Sequence, residues 1–212
     1  MNVIEIKNLT KVIKGQKVID NVSIDIEGGK TYGFIGYNGS GKSMLFKAIC
    51  GFVKANEGEI DIFGKRIGMD IDFPEKVGAL IEHPGFLPDI SGFENLKYLS
   101  EIQNIITDKE IKDSLAKVGL DPEDKKKVKS YSLGMKQRLG IAQAIMENPE
   151  ILILDEPLNG LDKEGVESIR NLLLNYKKEG RAILICSHNS EDISILCDYV
   201  YEMDKGKITQ LR

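Results

Sequence analysis

Cysteine, long apolar runs and excess positive charge are all scarce in this sequence, and each shortage narrows its chemistry. The three cysteines, Cys50, Cys186 and Cys197, sit in apolar stretches without C-x-x-C spacing. That argues against a disulfide framework or a zinc site, and for buried thiols in a reducing cytoplasm. No apolar run approaches the ~20 residues that span a bilayer. The opening Met1-Asn2-Val3-Ile4-Glu5 lacks the charged-then-apolar pattern of a secretion signal. Work at a membrane would therefore go through a partner. Lysine and arginine total 29 against 33 aspartates and glutamates, a net charge of −4 that lends no support to nucleic-acid binding. Repeats and low-complexity segments are absent too. What is present, 212 residues of which 42% are hydrophobic and 29% charged, suffices for one well-buried α/β domain with an inserted subdomain.

Apolar periodicity divides the chain. Val3, Ile4 and Ile6, then Val18 and Ile19, then Val22, Ile24 and Ile26 alternate with polar residues. This predicts a small, partly antiparallel sheet with turns at Gly15-Gln16 and Gly28-Gly29. Further strands are expected at Thr31–Ile35, Gly58–Gly64 and Val77–Ile81. The unbroken apolar runs Ile151–Leu154 and Ala182–Cys186 mark strands covered on both faces of a parallel sheet. From about 87 to 147 the period is helical, with Leu96, Leu99 and Ile102 on one face and Ile111, Leu115 and Val118 on another. Asp108 and Asp121-Pro122 look like helix starts there, and Lys125-Lys126-Lys127 with Lys129 reads as a solvated basic face. Lys163–Lys178 is an amphipathic helix presenting Val166, Ile169, Leu173 and Tyr176, ended by Gly180. A hairpin around Lys205-Gly206 closes the chain.

Three stretches carry chemistry. Gly36-Tyr37-Asn38-Gly39-Ser40-Gly41-Lys42-Ser43 fits G-x-x-x-x-G-K-[ST], the loop that wraps the phosphates of a nucleoside triphosphate. Its glycines let the backbone turn successive N–H groups inward. Lys42 can reach the β- and γ-phosphates, and the Ser43 hydroxyl can ligate Mg²⁺. A helix from Met44 to Ile49 adds its N-terminal dipole. Asp155-Glu156 ends the Ile151–Leu154 strand, and ligands of open α/β sheets sit at the carboxyl ends of strands. Asp155 can hold Mg²⁺ opposite Ser43, while Glu156 can orient the attacking water or take its proton. In Tyr131-Ser132-Leu133-Gly134-Met135-Lys136-Gln137, Ser132 is suited to cap a helix over Met135–Met146 and form a second anion site.

Together these strings resemble the nucleotide-binding subunit of an ATP-binding-cassette (ABC) transporter. The loop at 36–43, Tyr131–Gln137, Ile151–Glu156, Asn159-Gly160-Leu161-Asp162 and His188 occur in that family's order across essentially the whole chain. The resemblance implies a P-loop NTPase: a RecA-like α/β core with an antiparallel β subdomain and an inserted α-helical subdomain. As one ABC ATPase domain it would place the core and β subdomain at 1–86 and 148–212, and the helical subdomain at 87–147. It implies ATP hydrolysis with Mg²⁺. Two subunits, copies of this chain or this chain and a related one, would pack head to tail. ATP would bind Gly36 to Met44 of one and the signature-like Ser132, Leu133 and Gly134 of the other. Asp162 would act across the dimer and His188 would sense the γ-phosphate. An integral-membrane permease would be the partner, holding the subunit at the inner face of the cell membrane.

Three positions depart from the usual pattern. Tyr131-Ser132-Leu133-Gly134-Met135 stands where Leu-Ser-Gly-Gly-Gln is usual, with Ser132 and Gly134 kept. Glu82 replaces a glutamine, a harder Mg²⁺ ligand that brings a negative charge to the phosphates. Ile13 falls where an aromatic ring would stack on adenine, which leaves the choice between ATP and GTP open. Glu82, in Leu80-Ile81-Glu82-His83-Pro84-Gly85-Phe86, and the Tyr131–Gln137 string resemble the branch that exports bacitracin-like and lantibiotic peptides and confers immunity or resistance. Phe86 and Leu87 would then lie where the permease docks. A soluble cassette ATPase of translation or DNA repair, or a nucleotide-sensing regulator, are the rival readings.

Overall fold

The structure, a computed structural model, describes residues 1–82 and 85–212. The reading of His83 as a plain loop residue falls outside the described residues. The N-terminal alternation builds β1 (Asn2–Ile13) and β2 (Gln16–Glu27), antiparallel around a turn at Lys14-Gly15. The chain leaves through β3 (Thr31–Ile35) and α1 (Lys42–Ile49), then returns with β4 (Glu57–Ile62) and the two-residue β5 (Lys65–Arg66). These give a sheet ordered β2-β1-β4-β5.

β3 belongs to a second sheet, whose edge strand β6 (Val77–Leu80) comes next. Then come α2 (Gly92–Gln103), α3 (Asp108–Lys117), a 3₁₀ turn at Val128–Ser130 and α4 (Leu133–Ile145). The rest alternates: β7 (Ile151–Asp155), α5 (Lys163–Lys178), β8 (Ala182–Cys186), α6 (Ser190–Leu196), β9 (Tyr199–Asp204) and β10 (Lys207–Gln210). The order is β10-β9-β3-β8-β7-β6, parallel except for the β9–β10 hairpin.

Pleating splits each buried strand between two cores. Ile151 and Ile153 of β7 join Phe34, Phe46 and the apolar face of the first sheet. Leu152 and Leu154 face Leu139, Ile141, Ile169 and Leu173 of the helices. All five residues of β8 are buried, as a strand covered on both faces requires. The three cysteines are buried free thiols.

Three helical expectations need correction. Asp121-Pro122 starts no helix: the Asp121 Oδ1 accepts from the Glu123 N–H at 2.9 Å and the Asp124 Oδ1 from the Lys126 N–H at 2.8 Å. These local turns compete with a helix, and the N–H groups of Val128 and Lys129 then bond the carbonyls of Ile90 and Pro88. Ile102 does not share a face with Leu96, because steps of three residues drift about 60° round a helix. It is 78% exposed, and Ser100, four residues from Leu96, is buried instead. The helix capped by Ser132 also starts earlier than expected, at Leu133.

Gly78 of β6 sits where the α4 backbone crosses, and a Cβ there would overlap the Ala144 carbonyl. Gly78→Ala should therefore cost about 1–3 kcal/mol of stability, read as a lowered melting temperature in calorimetry. An unchanged transition would show that the two elements separate freely.

Candidate nucleotide site

Neighbouring strands β3, β8 and β7 end in register, with Phe34 and Asp155 both paired to Cys186. The three chemical stretches leave the sheet side by side. They line a cleft of about 680 Å³ whose walls include Asn38, Lys42, Ser43, Asp155, Glu156 and His188. Gly39 and Gly41 of the loop and Met44 line it as well. Gly36, Gly39 and Gly41 all hold positive φ. A Cβ at Gly36 would overlap the Met203 carbonyl, and one at Gly41 the Val18 carbonyl. Only glycine fits there. Gly41 precedes α1 as its N-cap with no side-chain cap, which leaves the first N–H groups of the helix to an anion.

Lys42 is nearly buried and folds back on its loop, donating to the Gly36 and Tyr37 carbonyls at 2.7 and 3.1 Å. The Tyr37 ring points away: it is 52% exposed, and its hydroxyl accepts from the Lys205 N–H at 3.3 Å. Ser40 is buried within the loop. The Ser43 hydroxyl donates to Asp155 Oδ2 at 2.5 Å, so these two oxygens already meet. Glu82 reaches the cleft, yet its carboxylate is paired with Lys47 Nζ at 2.6 Å.

Glu156 follows β7 with φ 50°. Its Oε2 accepts from the His188 N–H at 3.4 Å, and the His188 ring Nε2 lies 3.4 Å from Oε1 and 3.1 Å from Asn38 Oδ1. Burial pushes the Glu156 carboxyl above the ordinary carboxylate range, opposed by neighbouring His188. A proton acceptor is thus tuned upward beside the ring that faces Asn38.

The signature-like residues gather elsewhere. Ser132, Gly134 and Asp162 line a separate cavity of about 260 Å³ with Met135, Arg138 and Gly160. Ser132 Oγ accepts from the Met135 N–H at 3.1 Å as the cap of α4. Asp162 Oδ1 caps α5 by accepting from the Gly165 N–H at 3.0 Å, with Arg138 3.5 Å away. Leu133 is 61% exposed. A Cβ on Gly134 would come within 2.8 Å of the Gly160 carbonyl, so the two motif loops touch at that glycine.

Gln137, Asn159 and Val18 also line the main cleft without having been assigned a role from sequence. Gln137 Nε2 donates to the Glu156 backbone carbonyl at 2.9 Å. Gln137 and Asn159 lay inside strings already singled out, whereas Val18 showed only strand alternation. Ile13, the last residue of β1, is 37% exposed and does not appear in the cleft wall.

The upward shift of Glu156 sets a pH dependence. The fold favours the protonated carboxyl, so ionisation costs stability as pH rises from the unfolded value, near 4.3, through the raised folded value. Glu156→Gln should therefore be more stable than the parent at pH 7, with the gain vanishing below about pH 4. Denaturant midpoints across that range measure it; a variant less stable at pH 7 would contradict the desolvation account.

The ABC transporter family matches residues 19–159. An uncharacterized ABC transporter ATP-binding protein of Bacillus subtilis, YybJ, is 49% identical over 205 residues, covering 97% of this chain and 94% of that protein. A bacitracin transport ATP-binding protein of Enterococcus faecalis is 39% identical over 98% of this chain and 68% of its own length. A lantibiotic transport ATP-binding protein of Streptococcus pyogenes is 39% identical, with 97% and 88% covered. Among solved structures, an ATP-binding subunit of an ABC transporter superposes with a TM-score of 0.87 at 25% identity, over 99% of this chain and 90% of that one. With a phosphate loop, a strand-end Asp-Glu pair and a facing histidine in one cleft, this chain belongs to the ABC transporter family as an ATP-binding subunit, an ATPase.

Proposed function

We propose that this subunit powers export of an antimicrobial peptide or peptide antibiotic through a separate membrane permease, and that it works as a head-to-tail pair. The bacitracin and lantibiotic relatives support the cargo class. No helix among the described residues is long and apolar enough to cross a membrane, so the passage would belong to the permease, with this chain peripheral on the inner membrane face. Leu87, 54% exposed, lies just past Glu82 on the proposed docking side, whereas Phe86 packs on the helical core. Residues 87–147, the helices between β6 and β7, would form the subdomain that meets it.

One observation carries the pairing: the Lys42 cleft and the Ser132–Asp162 cavity are separate within a single chain. A second copy, or a related subunit, would present Ser132, Leu133 and Gly134 to the triphosphate held by the first. Asp162 would face the joint. His188 would donate to the γ-phosphate and Glu156 would orient the attacking water.

The donor set suits Mg²⁺. Among the described residues no three His, Cys, Asp or Glu side chains form a ready-made metal cage. Ser43 and Asp155 offer two adjacent oxygens, as expected for a cation shared with phosphates and water. Bound there, Mg²⁺ would neutralise charge on the phosphates. Glu82 is the third proposed ligand, with Lys47 as its competitor.

Glu156→Gln should bind ATP, hydrolyse it at least ~100-fold more slowly and accumulate as a dimer in size-exclusion chromatography. A folded variant that stays monomeric with ATP would overturn the pairing. At the base end, Ile13→Tyr should tighten ATP binding about tenfold by supplying a stacking ring; equal affinities would place the base elsewhere.

A further inference from the structure

One buried ion pair outside the nucleotide cleft is tied directly to it. Asp192, in the first turn of α6, is 3% exposed. Arg170 of α5 donates to Asp192 Oδ1 through Nε at 2.9 Å and again through Nη2, which also reaches Glu191 Oε2 at 2.9 Å. Asp192 commits its other oxygen elsewhere: Oδ2 accepts from the buried Ser187 hydroxyl at 3.2 Å. That hydroxyl in turn accepts from the Asn189 N–H at 3.1 Å. Between them sits His188, whose N–H meets Glu156. The segment 187–189 is therefore gripped by Asp192 on one side and joined to Glu156 on the other.

A buried carboxylate is costly unless its partners satisfy it, and an apolar pair would staple two helices equally well. The charged version does something an apolar pair cannot, because it hydrogen-bonds the residue preceding His188. We propose that Asp192, oriented by Arg170, is a positioning residue that fixes the 187–189 loop so that His188 meets the γ-phosphate and Glu156 the attacking water in a set geometry. This rests on the reading of His188 as the γ-phosphate contact.

The test measures ATP and ADP affinity of the full chain by displacement of a fluorescent ATP analogue, together with kcat for phosphate release and the melting temperature. Ser187→Ala keeps the Arg170–Asp192 pair and removes the Ser187 hydroxyl's bonds to Asp192 and to the Asn189 N–H. It should stay folded but melt a few degrees below the parent, because the buried Asp192 Oδ2 loses its hydrogen bond, keep ADP affinity, and lose about tenfold in both kcat and ATP-over-ADP preference, the scale of one hydrogen bond to a charged group. The double variant Arg170→Met/Asp192→Leu should regain stability relative to Asp192→Asn without regaining that preference. If Ser187→Ala and the double variant both retain the parent's preference and kcat, the pair is a structural staple and the proposal is wrong. A parent protein that binds ATP and ADP equally would instead overturn the reading of His188.

Discussion

The site depends on a parallel ladder that is covered on both faces. Because β7 sends Ile151 and Ile153 into one core and Leu152 and Leu154 into the other, its side chains are committed on both sides. A one-residue slip would exchange every one of them. Register with β8, and of β8 with β3, is therefore firmly held, down to the shared partner Cys186. The loop from 36, the turn at Glu156 and the segment from Ser187 emerge together because of that alignment.

What emerges is electrostatically asymmetric. Lys42 rests on backbone carbonyls, which steady its ammonium without cancelling its charge, and the uncapped start of α1 adds a partial positive charge. That is an attractive end for a triphosphate. The opposite wall holds the acids. Asp155 is engaged by the Ser43 hydroxyl, while burial shifts the Glu156 carboxyl upward. Two adjacent carboxylates thus sit in different surroundings.

The second cavity follows a different rule. Ser132 and Asp162 each cap a helix, and Gly134 lets the two motif loops touch. Capping alone accounts for both side chains. Leu133, between Ser132 and Gly134, is left 61% exposed.

Much of this was legible in the sequence because the signals are local. The phosphate loop is contiguous, its glycines answer to positive φ, and the four-residue apolar run before Asp155 marks a two-sided strand. Helix phase was legible where spacing kept to three and four, as in Ile111, Leu115 and Val118, and failed at Ile102, where it did not. Tertiary structure alone decided the rest. Lys47 meets Glu82 across 35 residues, Gln137 meets Glu156 across 19, and Arg170 meets Asp192 across 22. Such pairs have no sequence period to announce them, since they arise only when separate elements pack against one sheet. The chain by itself determined that a triphosphate binds; packing decided which carboxylate is paired, which is tuned, and what holds His188 in place.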